Sequence, residues 1–201
     1  MCSLILSNFA SKICPKCTLS DNRIVWGYGN YKNRVIFIGE APGAEEDKLG
    51  KPFVGRSGKL LTKMLNDSGI RRELVYITNV VKCRPENNRT PTKDEIKLCS
   101  RFLKYEIQNI KPEIIVTLGS TSTSYFLKNF NISSIAGSIV KTKIGLVNYR
   151  LYPIYHPAYV LRNGISREEY LNLFIRLRKI LYSIYLNLDL RIKTLVEMWD
   201  R

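Results

Sequence analysis

Long apolar runs, histidine and acidic side chains are all scarce in this 201-residue sequence. No apolar run reaches the roughly 18 residues that are needed to span a bilayer. Residues 1–14 contain only a short apolar core with no basic region before it, which is not the pattern of a secretory signal. We therefore expect a cytoplasmic protein without a membrane-spanning segment.

The shortage of acidic residues leaves a strongly basic protein. The sequence has 17 Asp and Glu residues against 32 Lys and Arg residues, and its formal net charge is +15. A folded domain this basic favours a polyanionic partner, with nucleic acid as the first candidate and a membrane surface as the weaker one. The Lys-rich surface of a thermophile's protein is a further alternative, but such surfaces are usually rich in Glu as well.

Short runs of β-branched and aromatic residues alternate with amphipathic segments along the chain. Such runs are typical of strands that are buried on both faces of a parallel sheet. The alternation predicts one α/β domain, a three-layer α/β/α sandwich with a central parallel sheet of about four strands. Its core would cover residues 12–189, residues 131–150 would form an irregular hairpin, and residues 190–201 would form a C-terminal tail. The predicted strands cover residues 35–38, 75–78, 114–118 and 151–155.

Capping signals indicate where the helices of this fold begin. Ser57 is predicted to cap the helix that follows the first strand. Thr92 with Glu95, and Ser166 with Glu169, have the spacing of capping boxes, so each pair predicts the start of another helix.

Polar residues follow three of the predicted strands, at the edge where sheets of this type bind ligands. The segment 39–43 (Gly-Glu-Ala-Pro-Gly) follows the first strand, Asn79 the second and His156 the fourth. His156 is the only histidine; a lone histidine is more often structural than catalytic, but its place at a strand end favours a site. Glu46 and Asp47 belong to an acidic cluster that either forms a solvated loop or positions water near a substrate.

Four cysteines have a spacing that indicates a metal centre. Cys14 and Cys17 form a CxxC pair, which is the usual half-site for zinc or an iron–sulfur cluster, and Cys83 and Cys99 follow singly. Four thiols without an accompanying histidine favour iron–sulfur over zinc. Simple buried thiols at Cys83 and Cys99, or a redox CxxC pair, are the alternatives. Cys2 is the spare cysteine.

Taken together, these motifs resemble family 4 uracil-DNA glycosylases, the iron–sulfur class of thermophilic archaea and bacteria. The resemblance implies a 4Fe–4S cluster on Cys14, Cys17, Cys83 and Cys99. It also implies hydrolysis of the N-glycosidic bond of uracil in DNA, which leaves an abasic site and begins base excision repair at the nucleoid. The matching segments are 39–47, 51–58, 76–85 and His156-Pro157 with Leu161-Arg162.

The chemistry of this reaction suggests roles for the residues around the predicted strand ends. The target base must be flipped out of the duplex, and Phe53 would stack on it beside Gly39. Asn79 would recognise O4 and N3–H of uracil with its amide. His156 would donate a hydrogen bond to O2 as negative charge develops there. Glu40 would support the cationic sugar or the attacking water.

The assisting carboxylate is not fixed by the sequence. Better-known uracil glycosylases of other families carry a catalytic Asp where this chain has Ala41. Glu40 is favoured for the role, with Glu46 and Asp47 as the alternatives.

DNA contacts are expected from two segments. By resemblance, Leu161 would wedge into the duplex and Arg162 would lie near a phosphate, both on a loop after the His-Pro pair. Arg56, Ser57 and Lys82 would hold phosphates.

The expected partner is uracil-containing DNA, single- or double-stranded, bound by a monomer. A sliding clamp is a candidate partner, although no motif for it is present. A non-catalytic iron–sulfur nucleic-acid-binding module, a glycosylase of broader specificity and a redox protein are the alternative functions.

Overall fold

The computed structural model describes Cys14 and residues 17–187, with the side chains of residues 185–187 left out. Cys2 and the predicted tail 190–201 lie outside the described residues. Six strands form one sheet in the described part: β1 Tyr28–Gly29, β2 Val35–Gly39, β3 Tyr76–Asn79, β4 Ile114–Leu118, β5 Val140–Ile144 and β6 Val147–Ile154.

The order of the strands across the sheet is β1-β3-β2-β4-β6-β5. The four central strands, β3, β2, β4 and β6, pair in parallel, which confirms the predicted parallel sheet. β1 and β5 add an antiparallel strand at each edge. The sheet is therefore two strands wider than the sequence indicates.

Helices cover both faces of this sheet, as the three-layer prediction requires. Val35 and Phe37 of β2 pack into one apolar cluster with the helices Arg56–Asp67 and Arg167–Asn187. Ile36 and Ile38 pack into a second cluster with the helix Lys93–Ile110. No helix of the described residues is both long and apolar enough to cross a membrane. The helices are α1 Ala44–Leu49, α2 Arg56–Asp67, α3 Lys93–Ile110, α4 Ser120–Ser124, α5 Ile132–Ile135, α6 Pro157–Leu161 and α7 Arg167–Asn187.

Two of the predicted helix starts are found. Thr92 Oγ1 accepts from the Glu95 backbone N–H at 3.2 Å, and the Glu95 carboxylate accepts from the Thr92 N–H at 2.7 Å. Ser166 Oγ accepts from the Glu169 N–H at 3.0 Å ahead of α7. The prediction for Ser57 is wrong, because the N-cap of α2 is Gly55.

Two segments have more regular structure than predicted. Residues 131–150 contain the short helix α5 before the hairpin, and only β5 and β6 form the hairpin itself. Its turn holds Gly145 in the left-handed region at φ 61° and leaves the Leu146 side chain 92% exposed. The predicted DNA-contacting loop after the His-Pro pair is the short helix α6, because Pro157 occupies a first-turn position in which its missing N–H costs nothing.

Candidate active site

A cleft of about 550 Å³ opens where β2, β3 and β6 end. This is the carboxyl edge of the parallel strands, where polar residues were predicted to meet. Gly39, the last residue of β2, lies beneath it. The predicted site residues that line the cleft are Glu40, Phe53, Arg56, Ser57, Asn79, His156 and Arg162, together with Glu46, the alternative carboxylate.

Asn79 brings an unpaired polar atom to the floor of this cleft. Its side chain is only 2% exposed, and its Oδ1 has no hydrogen-bond partner among the described residues. Gly39 makes this placement possible, since a Cβ there would collide with Oδ1 of Asn79 and with the Phe53 ring. A buried acceptor without a partner costs about 1–3 kcal/mol, and a ligand N–H in the cleft would recover that cost.

Phe53 has an unusual backbone conformation. Its φ is 53°, in the left-handed region that bulky residues rarely adopt. The centre of its ring lies 6.0 Å from the centre of the His156 ring, with 44° between the two planes. The aromatic ring, the amide of Asn79 and the imidazole all line the same cleft.

His156 is held as a neutral hydrogen-bond donor. Its Nδ1 accepts from the Ala158 backbone N–H at 3.1 Å, so the proton of the neutral ring lies on Nε2. Burial, with Arg162 nearby, lowers the pKa of His156 to about 4, although Glu46 acts in the opposite direction. Gly119 leaves room for His156, because a Cβ at position 119 would lie only 2.8 Å from the Cβ of His156.

The carboxylates near the cleft differ in what they are free to do. Both oxygens of Glu46 accept backbone hydrogen bonds, from Gly43, Val54 and Gly55. Asp47 is not among the residues that line the cleft. Glu40 is half-buried on the cleft wall, and no hydrogen bond from the described residues occupies its carboxylate.

The predicted DNA-binding residues divide into two groups. Arg56 and Arg162 are exposed at the rim, Ser57 is half-buried beside them, and Leu161 is 39% exposed at the end of α6. Lys82 is different: it is 1% exposed, and its ammonium group donates to Glu106 at 2.6 Å, to Thr78 at 2.6 Å and to the Asn79 carbonyl at 2.7 Å. The prediction that Lys82 holds a phosphate is wrong, because the side chain is fully enclosed.

Sequence reasoning missed Arg89, which also lines the cleft. Its side chain is 42% exposed and pairs with Glu95 at 2.6 Å. Arg89 lies seven residues after Lys82, in the same loop region, and this position could have indicated that it reaches the cleft. Both terminal nitrogens of its guanidinium donate to the Glu95 carboxylate, at 2.9 and 2.6 Å, so its charge is balanced by that neighbour.

The four predicted metal ligands line one small cavity away from the cleft. Cys14 and Cys17 are half-buried and Cys83 and Cys99 are buried. Burial raises the pKa of the Cys83 thiol to about 12, with smaller contributions in the same direction from the neighbouring Cys99, Cys14 and Cys17. The Lys82 backbone N–H donates to the Cys99 sulfur at 3.1 Å. Among the described residues, no three or more His, Cys, Asp or Glu side chains converge closely enough to hold a single metal ion.

Comparisons with known proteins agree with this geometry. A family profile described as the uracil DNA glycosylase superfamily matches residues 26–178. A type-4 uracil-DNA glycosylase of Thermotoga maritima is 50% identical over 156 residues, which are 76% of this chain and 80% of the relative. One of Saccharolobus solfataricus is 45% identical over 184 residues, covering 88% of this chain and 85% of the relative.

A relative with lower identity is named as a different type of uracil-DNA glycosylase. A type-5 uracil-DNA glycosylase of Pyrobaculum aerophilum is 31% identical over 156 residues, which are 66% of this chain and 67% of the relative. The family match and the type-4 relatives each cover about three quarters of the sequence or more, and the family match spans every strand of the sheet. The chain therefore belongs to the uracil DNA glycosylase superfamily.

Proposed function

We propose that this protein hydrolyses the N-glycosidic bond of uracil in DNA and leaves an abasic site. The observation that carries the proposal is the buried, unpaired Oδ1 of Asn79, in the cleft that Phe53 and His156 also line. The names of the type-4 relatives support the same reaction.

Asn79 selects uracil by its hydrogen-bonding pattern. Oδ1 accepts from N3–H of uracil and Nδ2 donates to O4. Cytosine presents an unprotonated N3 and an amino group at these two positions, so both contacts would be repulsive. Specificity is strong because the amide is buried. Water cannot hydrogen-bond there to polar groups that are left unmatched, so the wrong base carries the full cost of their desolvation.

His156 and Glu40 act on the two charges that appear as the bond breaks. Uracil leaves as an anion with charge on O2, and the sugar becomes cationic. The Nε2–H of neutral His156 donates to O2, which stabilises that charge without transferring a proton. Glu40 lies on the cleft wall with an unoccupied carboxylate, and it supports the sugar cation or orients the attacking water.

The rim of the cleft binds the strand on either side of the flipped nucleotide. Arg56 and Arg162 place positive charge at the mouth of the cleft, where phosphates would lie, and Ser57 adds a hydroxyl donor. Leu161 is an exposed apolar side chain on α6, suited to fill the space that the flipped base vacates.

The four cysteines fit a 4Fe–4S cluster better than a single ion. They line one cavity together with apolar side chains, and the chain supplies four thiols there. In such a cluster each thiolate binds a different iron, so the sulfurs need not converge on one point, as a single zinc would require. The bound cluster would supply a covalent link between the segment of Cys14 and Cys17, the loop of Cys83 and helix α3. No residue that lines its cavity also lines the cleft.

Cluster binding is tested by replacing one ligand. We expect anaerobically purified protein to contain about four iron and four sulfide per chain, and Cys83→Ala to lose both together with the brown colour. Metal analysis and the visible absorption spectrum measure this. Cys2→Ser is the control and should keep the cluster. Zinc in place of iron in the wild type, or iron retained in Cys83→Ala, would contradict the assignment.

Uracil recognition is tested with an end-labelled oligonucleotide that carries a single uracil. After treatment with alkali we expect strand cleavage only at uracil. Asn79→Ala should lower kcat/KM by about 10- to 100-fold, because two hydrogen bonds in a dry pocket are lost. Asn66→Ala, on the exposed side of α2, is the matched control.

Two other outcomes would change the conclusion. Intact DNA binding without any cleavage by the wild type would leave the non-catalytic nucleic-acid-binding module as the function. Cleavage at hypoxanthine with an efficiency similar to that at uracil would indicate a glycosylase of broader specificity.

A further inference from the structure

We propose that Glu46 and Arg72 are positioning residues that hold Phe53 in its left-handed conformation and thereby keep its ring ready to stack on the target base. This inference rests on the proposed function and adds two residues that act through Phe53 without touching the base.

The conformation of Phe53 needs support from its surroundings. A bulky residue at φ 53° is unfavourable by itself, and such a conformation persists only where neighbouring groups fix the chain on both sides. The ring cannot simply relax, because its far edge fits against Gly39, at the point where a Cβ would lie 2.6 Å from a ring carbon. Phe53 is buried in this position.

Glu46 fixes the chain immediately after Phe53. One oxygen of its carboxylate accepts from the Val54 N–H at 2.9 Å and from the Gly55 N–H at 2.8 Å. The other oxygen accepts from the Gly43 N–H at 3.1 Å. A single buried carboxylate thus joins the loop that follows β2 to the loop that carries Phe53. Gly55 also lies close to this carboxylate, since a Cβ there would be 3.2 Å from the oxygen that accepts its N–H.

Arg72 fixes the chain immediately before Phe53. Its guanidinium donates to the Pro52 carbonyl at 3.0 Å and to Thr62 Oγ1 on α2, also at 3.0 Å. Burial lowers the pKa of Arg72, and the charge of Glu46 opposes that change. The residues on both sides of Phe53 are therefore held by charged groups of opposite sign.

Gly58 completes the support from the side of the helix. A Cβ at this position would overlap the carbonyl carbon and oxygen of Phe53. The first turn of α2 therefore packs directly on the Phe53 peptide, and the backbone has no room to swing towards the helix. Movement of Phe53 must then involve the contacts made by Glu46 or Arg72.

The expected effect is on binding of the base. Stacking on Phe53 is similar for bound substrate and transition state, so its loss raises KM and leaves kcat nearly unchanged. We expect Glu46→Ala to raise KM for uracil-containing DNA by about tenfold, within the range of one base–aromatic stack. The inhibition constant of free uracil should rise by a similar factor. Glu46→Gln should be milder, because an amide oxygen can still accept from Val54 and Gly55. Glu168→Gln, exposed on α7, is the control.

A double-mutant cycle separates positioning from general destabilisation. If Glu46 acts through the ring, Glu46→Ala should add almost nothing to KM in a Phe53→Ala background. Equal effects in the two backgrounds, or a lower kcat at unchanged KM, would overturn the inference. Arg72→Lys provides a second variant that keeps the charge and loses the two-pronged contact, and it should also raise KM.

Hydrogen exchange examines the same contacts without using activity. The amides of Gly43, Val54 and Gly55 should exchange slowly in the wild type and faster in Glu46→Ala, with the exchange of β4 unchanged. Unaltered exchange would overturn the inference even if the protein proved inactive on uracil. An inactive wild type with accelerated exchange in the variant would instead reject the proposed function and keep the positioning role.

Discussion

Replacement of His156 by alanine should lower kcat for uracil release by about 10²–10³-fold, the usual effect of removing one donor to a developing oxyanion. The effect is large because Nε2–H is aligned before the reaction: Nδ1 is already occupied by the Ala158 N–H, 3.1 Å away. KM should change little, since the contact with O2 strengthens only as charge builds. Single-turnover cleavage of a uracil oligonucleotide measures the rate, and DNA binding of the variant provides the control.

The pH dependence tests the protonation state of the same residue. Burial lowers the pKa of His156 to about 4, so we expect no transition from this residue in kcat between about pH 5 and about pH 8. In the unfolded chain the imidazole has its ordinary pKa of 6.5 and takes up a proton first. Stability should therefore fall as pH decreases from about 6.5 to about 4. A histidine transition in kcat near neutrality, absent from His156→Gln, would contradict the neutral donor.

Replacement of Lys82 by methionine should destabilise the fold by about 3–5 kcal/mol, because it leaves the Glu106 carboxylate buried without its cation. Both side chains of this pair are 1% exposed, and Glu106 also accepts from Thr78 at 3.0 Å. Urea unfolding of the variant and the wild type measures the difference in free energy.

A surface pair in the same protein offers a matched control for this substitution. Lys63 and Asp67 form an ion pair at 2.8 Å on α2, with side chains that are 59% and 34% exposed. Lys63→Met should change stability by less than about 1 kcal/mol. A loss at Lys82 no larger than at Lys63, or a reduced salt dependence of DNA binding in Lys82→Met, would restore a surface role for Lys82.

The sequence predicts the parallel sheet and the meeting of its polar ends for a simple physical reason. Strands buried on both faces require continuous apolar runs, and parallel neighbours bring their carboxyl ends to one edge. Asn79 and His156 could therefore be placed at one site although 77 positions separate them. The edge strand β1 could not be found in this way, because two residues are too few to show a period.

The direction of single side chains was harder to predict. Lys82 lies three residues beyond β3, and its enclosure depends on Glu106, which is 24 positions away on α3. Gly55, the N-cap of α2, donates its N–H to Glu46, nine positions earlier in the chain. Both contacts are made between elements whose relative placement follows only from the folded sheet. Local propensity therefore favoured Ser57 as a cap and gave Lys82 the surface position that is usual for lysine.

The turn between β5 and β6 has a practical use that follows from strand direction. β6 runs from Val147 to Ile154 and ends beside the cleft, so eight residues at about 3.3 Å each separate the turn from the proposed DNA-binding edge. Gly145 has no atom within 4 Å of a would-be Cβ, and Leu146 points outward. A dye attached at this turn would lie away from the cleft. A surface tether attached there would immobilise the protein with the cleft still accessible to DNA.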